Sequence, residues 1–349
     1  LPGAVGMALA RLLGFGALGC LYGGRIVNLL AYTLLCALAL AKAERYRPVF
    51  AAIMLLPMSL FMGASLSYDA TLLGCYYLML ALLTRKEWNT QTAGIYTAAC
   101  IFVNIAKPYL NLLWVLPIFL VAKREWHAKG RRPLWALGGF GGAMAVTLLT
   151  EWYGTAFRYN YPMIERQGGS TVNGGEQLAF VLRNPLRTIA AFWGTLGEND
   201  FFIGQLGLFG WKDLPISFLN LTSPLVLLLA ALLAAAQPKR ADAFPTRRRV
   251  GGAALLALVY AAGAMAAMYI TYTPVGMVRI VGLQARYFLC VWLALLLALA
   301  VLLRKTIRPA ITEEKAEAAI TPLCACYAVF GAVLLFQHYF VGPVYVVYA

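Results

Sequence analysis

Asp69 lies in the stretch ASLSYDATLLGC (64–75), between the apolar runs VFAAIMLLPMSLFMG (49–63) and LLGCYYLMLALLT (72–84). An ionisable group at the edge of membrane-length apolar sequence is costly unless water or a partner reaches it, so it is a functional candidate by default. Ser65, Ser67 and Asp69 are also all good helix-capping types, and a cap is the competing reading. Three cations stand at comparable places. Lys107 is in NIAKPYLN (104–111), where Pro108 fixes a turn; Arg286 is in LQARYF (283–288), beside Gln284 and Tyr287; Arg25 opens GGRIVNLLAY (23–32), with Asn28 one turn further on. Arg offers forked hydrogen bonds and Lys a point charge, the chemistry that holds a phosphate or pyrophosphate at a lipid–water boundary. A carboxylate among them can bind a divalent cation, magnesium or manganese, or orient a hydroxyl nucleophile.

The elements that carry these residues must be membrane helices. Of 349 residues, 62% are hydrophobic and 12% charged, against about 45–50% apolar and about 25% charged in a soluble domain. The chain reads as an all-α, polytopic integral membrane protein. Two histidines and seven cysteines leave little material for a metal cage, and the cysteines read as small buried hydrophobes, not a disulfide framework. No Walker motif or serine–histidine pairing is present, which removes ATPase and hydrolase readings.

Apolar length places spans near 21–42, 48–66, 69–84, 91–106, 109–122, 134–150, 218–236, 251–271, 287–303 and 320–339, on a ruler of about 17–25 residues per crossing. Residues 5–18, short and carrying Arg11, suit an interfacial helix. The net charge of +15 gathers in alternate loops, at 42–47, 85–86, 123–132, 239–249 and 304–315. The positive-inside rule makes that side cytoplasmic, so the basic balance is an insertion signal and not a nucleic-acid surface. Asp69, Lys107, Arg286 and Arg25 then fall on the outer side. Three modules follow in chain order: 1–150, an N-terminal transmembrane module; 151–217, an extracytoplasmic loop; and 218–349, a C-terminal transmembrane module.

The loop 151–217 is too long for a mere connection. Its second part, EQLAFVLRNPLRTIAAFWGTL, has near-helical apolar spacing and stacks Arg183 and Arg187 at i and i+4, as in a helix lying on the membrane surface. Those arginines either snorkel toward headgroups or meet an anionic lipid-linked ligand. The run LGGFGGAM (137–144) reads as a close-packing face through Gly138 and Gly142. The sequon Asn220-Leu-Thr222 opens a span, a poor place for glycosylation.

Five stretches carry a family resemblance: GGRIVNLL (23–30), LLPMSLFMGASLSYDA (55–70), AKPYL (106–110), LGLFGWKDLPIS (206–217) and LQARYF (283–288). In them the chain resembles the bacterial membrane-protein family called domain of unknown function 2142, related in fold to the C-type glycosyltransferases. Ala285 and Lys212 depart from the family pattern. The resemblance implies a helical bundle of about ten transmembrane helices in a bacterial inner membrane. It also implies transfer of a sugar from a polyprenyl-phosphate donor to a cell-envelope glycan or lipid. Asp69 would then be the acidic residue for metal or acceptor, Lys107, Arg286 and Arg25 would hold the donor phosphate, and Tyr109, Gln284 and Tyr287 would shape the pocket. The family's leading catalytic carboxylate belongs to a first outer loop, and nothing acidic precedes Glu44. The chain is expected to lack that first span and loop. An O-antigen polymerase or ligase and a lipid-carrier flippase are the rivals. A flippase needs mid-span polar groups and broken, repeat-related helices, and mid-span ionisable residues are nearly absent here.

Overall fold

The architecture was read from a computed structural model, which describes residues 2–106, 117, 120, 121, 125–157, 172–198, 204–210, 214–238, 246–283 and 285–341. Among the described residues its regular elements are helices, apart from one two-residue pairing, β1 (Leu208–Phe209) with β2 (Leu214–Pro215), and an isolated bridge between Trp88 and Trp126. The chain forms two compact units. The first comprises 1–86, 206–250 and 293–349, and the second 87–205 and 251–292.

In the first unit, α1 (Pro2–Leu12) turns back on α2 (Ala17–Lys42). Gly14, at φ +81, makes the left-handed turn that ends α1. Glycine lets the two helices touch: a Cβ on Gly23 would stand 2.8 Å from Ala10 Cβ and 2.9 Å from the Gly6 carbonyl oxygen. The interfacial stretch anticipated at 5–18 is thus a helical hairpin partner of α2, with Leu12, Leu13 and Phe15 exposed.

The span anticipated at 48–66 is two helices, α3 (Arg47–Met54) and α4 (Pro57–Gly63). Pro57 is the cause. It starts α4, and Leu56 before it is driven to ψ 140, away from helix. Next comes α5 (Asp69–Leu83), apolar all round and buried on every face, as expected of a helix enclosed by others. Its 15 residues span roughly 22 Å. Gly74 lies against Leu35 of α2, Tyr32 donates from its hydroxyl to the Met54 carbonyl at 2.9 Å, and the β-hairpin seats Phe209 edge-on to Phe61 at 5.3 Å.

The unit is completed by α10 (Ser217–Ala235), the start of α11 (Thr246–Thr271), most of α12 (Leu289–Leu303) and α13 (Glu313–Phe336). Prolines 224 and 322 lie inside α10 and α13, tolerated in membrane helices where neighbouring side chains settle the freed backbone groups. Near Pro224, Thr222 and Ser223 each hydrogen-bond the Tyr327 hydroxyl, at 2.7 and 2.8 Å. Asn220 of the sequon sits in the first turn of α10 beside Gly207.

The basic segments of this unit meet at the end of α5 remote from Asp69. Glu44 pairs with Arg85 at 3.4 Å and accepts from the Lys86 N–H at 2.8 Å. Arg249, fully buried, donates to the carbonyls of Leu83 and Arg85. Arg47 pairs with Glu317 at 3.6 Å.

The second unit contains α6 (Thr90–Ala106), α7 (Arg132–Phe157), α8 (Gly174–Arg183), α9 (Pro185–Leu196) and most of α11. The small-residue face of α7 is displaced from the anticipated one. Gly142 meets Ile101 of α6, Ala136, Gly139 and Ala143 are buried, and Gly138 faces open space. The segments 88–90 and 125–129 pair through Trp88, whose N–H donates to the Glu125 carbonyl at 2.8 Å while its carbonyl accepts from His127 at 2.9 Å.

Among the described residues five helices are long and apolar enough to cross a membrane: Ala17–Lys42, Ser217–Ala235, Arg249–Thr271, Arg286–Leu303 and Glu313–Val341. The segment anticipated at 109–122 lies almost wholly outside the described residues. Five of the seven cysteines are buried and all are free, with Cys326 exposed.

Candidate functional site

The tip between α4 and α5, residues 64–69, is held from within and from α2. Ser67 does the local capping, its hydroxyl accepting from the Asp69 N–H at 3.1 Å and donating to Asp69 Oδ2 at 2.9 Å. Ser65 joins that hydroxyl at 3.0 Å and donates to the Met62 carbonyl at 2.7 Å. Asp69 is the first residue of α5, past the N-cap position, which Tyr68 fills without a side-chain hydrogen bond. Asp69 as a whole is 7% exposed and makes no ion pair among the described residues. The first-turn position suits its charge, since helix N-termini favour anions.

The α2 side supplies two anchors. Arg25 donates through Nε to the Ala64 carbonyl at 3.0 Å, which leaves the two terminal nitrogens of its fork for other acceptors. Asn28, buried, donates through Nδ2 to the carbonyls of Ser65 at 2.6 Å and Ser67 at 3.2 Å. Gly24 lets Leu66 of the tip settle on α2, because a Cβ there would come within 2.6 Å of Leu66 Cδ2. A carboxylate and a guanidinium, remote in sequence, are thereby fixed to one six-residue tip. Among the described residues no three His, Cys, Asp or Glu side chains gather as a metal cluster.

In the second unit Arg286 and Tyr287 belong to a 3₁₀ turn, Ala285–Phe288, that leads into α12, and both are half-buried. The segment before that turn, 272–283, is clasped by α8 and α9. The Gln177 side-chain oxygen accepts from Gly276 N–H at 2.9 Å, and the Thr195 hydroxyl accepts from Ile280 N–H at 2.9 Å. Thr273 accepts from Val281 N–H at 3.1 Å, and Tyr269 donates to the Met277 carbonyl at 2.8 Å and meets Phe192 edge-on at 5.7 Å. Arg279 pairs with Glu198 at 3.0 Å.

This clasp is absent from the sequence reading, which assigned no partner to Gln177 or Thr195. Here Gln177, Ala191 and Thr195 are buried, while Leu178, Leu182, Leu186, Ile189 and Trp193 are exposed. The stretch is also two helices, parted at Asn184-Pro185, so Arg183 ends one and Arg187 begins the next instead of stacking on one. Lys107, Tyr109 and Gln284 lie outside the described residues.

Helices of membrane-spanning length, apolar outward-facing side chains and a polar tip between two of the apolar segments define a membrane-embedded, all-helical protein. The family described as "Predicted membrane protein (DUF2142)" matches residues 1–303, and the chain belongs to that family. No curated protein and no solved structure matches the chain.

Proposed function

We propose that the protein is a glycosyltransferase-like membrane protein. It takes a sugar from a polyprenyl-phosphate donor and passes it to a cell-envelope glycan or lipid, at the face opposite the basic loops. The bundle is of the C-type glycosyltransferase kind, with about ten spans, set in a bacterial inner membrane. The observation that carries this reading is the 64–69 tip, where Arg25 and the buried, unpaired-by-charge Asp69 are fixed together at the end of α5 remote from the basic segments. A guanidinium suits a lipid-linked phosphate. A carboxylate on the same tip suits the acceptor hydroxyl or a metal bridging to that phosphate. The family resemblance nominates Lys107, Arg286, Tyr109, Gln284 and Tyr287 as further donor-binding residues. A magnesium or manganese ion would have Asp69 as its protein carboxylate, a thin ligand set of the sort completed by substrate phosphates.

The test uses Asp69→Asn, which keeps the shape and the hydrogen bond accepted from Ser67. Transfer from a radiolabelled polyprenyl-phosphate sugar should fall about 100-fold, the loss typical of removed acid–base assistance, with the thermal midpoint unmoved. Wild-type turnover in Asp69→Asn would return the residue to a purely structural part.

A further inference from the structure

We propose that a cavity at the basic end of the first unit binds a singly charged oxyanion, a phosphodiester of the kind carried by a lipid headgroup or its free counterpart in solution. The cavity has a volume of about 140 Å³ and lies between the α2–α3 loop, the segment after α10, the end of α12 and the start of α13. Gln237 and Arg304 both line it. Gln237 is 7% exposed, and its Nε2 has no acceptor among the described residues. The Nε of Arg304 is likewise a buried donor without an acceptor. The rest of that guanidinium is fixed, Nη2 donating to the Pro238 carbonyl and Nη1 to the Tyr46 hydroxyl at 3.5 Å. Two buried donors at one cavity want acceptor atoms, because an unmade hydrogen bond there is costly. Both donor atoms are themselves covered, so a ligand reaches the Gln237 amide only after that side chain turns.

The surrounding charges select the ligand. Thr312 caps α13, its hydroxyl accepting from the Lys315 N–H at 3.4 Å, so the N-terminus of a 24-residue helix also lines the cavity. That terminus favours an anion. Arg45 and Arg304 contribute two positive charges to the lining. The Glu44 carboxylate is offset by Arg85 and the Lys86 N–H. Glu313 opposes an anion, and among the described lining residues Arg45, Arg304 and Glu313 sum to one positive charge, which suits a monoanionic phosphodiester. Pockets of this kind at the basic ends of membrane helices are where anionic headgroups bind. The site lies at the opposite end of α5 from Asp69 and is independent of glycosyl transfer.

Binding is measured by isothermal titration calorimetry on the full chain in detergent. The probes are dihexanoyl phosphatidylglycerol, inorganic phosphate near pH 6 and, as the uncharged control, dihexanoylglycerol. Binding of phosphatidylglycerol alone supports a lipid-headgroup site, and binding of both anions supports recognition of the oxyanion itself. Gln237→Glu, which keeps shape but places a carboxylate against the ligand, should weaken binding at least tenfold. Gln237→Leu removes the unsatisfied donor, so it should leave the ligand-free thermal midpoint intact while weakening binding about fivefold or more. It serves as the arbiter if the Glu variant folds poorly. Failure of both anions to bind, binding of the uncharged control with equal strength, or undiminished binding in Gln237→Leu overturns the proposal.

Discussion

Replacing Asn28 by Leu, nearly isosteric, removes the only side chain of α2 that reaches the Ser65 and Ser67 carbonyls among the described residues. The two bonds, at 2.6 and 3.2 Å, end on a half-buried tip. Each carbonyl left without its donor costs about 1 kcal/mol at the low end of the usual range, because part of the loss is recovered by water. The sum is about 2 kcal/mol, a factor of about 30 in the opening equilibrium of the tip. Hydrogen exchange in nanodiscs reads this directly: amides of 66–70 should exchange about 30-fold faster, while those in the middle of α5, buried on every face, should keep their rates. Arg25 still holds the Ala64 carbonyl in this variant, so the effect should remain local. A rise under threefold would refute the view that α2 holds the tip. Equal acceleration along all of α5 would show that Asn28 supports the helix and not the tip.

Gln177→Leu should free the Gly276 N–H and accelerate its exchange about tenfold or more, since a buried donor loses its acceptor; no change at 276 would dissolve the clasp on 272–283. Arg249→Met removes two charge-assisted bonds to the Leu83 and Arg85 carbonyls; a loss of about 3 kcal/mol is expected, read as a lower thermal midpoint and faster proteolysis near residue 86. Wild-type stability in that variant would mean that the buried guanidinium merely fills space. For topology, in a cysteine-free background, Ser170→Cys should react with an impermeant outer label and Asp242→Cys should not, and the reverse pattern would invert every assignment of sides.

Much of the tip could be seen in advance because membrane sequence makes polar residues conspicuous: Asp69 and Arg25 stand out against apolar runs, and both prove attached to the same tip. Asn28 was visible too, yet its task was not, since nothing in chain order says that a residue of α2 will face residues 65 and 67. Apolar length alone ran through Leu56-Pro57 as one span, whereas the restriction that proline imposes on its predecessor divides the segment into α3 and α4. Hydropathy also says nothing of what a polar side chain will meet, so the bonds from Gln177 and Thr195 to the 272–283 segment could not be foreseen. The division at 150 and 217 follows loop length, whereas the compact units cut at 86, 205, 250 and 292. Such discontinuous grouping leaves no mark in local composition.

The shortness of α5 bears on why a carboxylate is tolerated at its end. About 22 Å of helix falls short of a hydrocarbon layer about 30 Å thick. With the Thr84 end level with the basic boundary, Asp69 stands about 8 Å beneath the opposite one. Because α5 is enclosed by other helices, that shortfall is met inside the bundle and not by lipid. The missing length is occupied by the polar 64–69 tip, so a serine hydroxyl, not hydrocarbon, meets the Asp69 carboxylate.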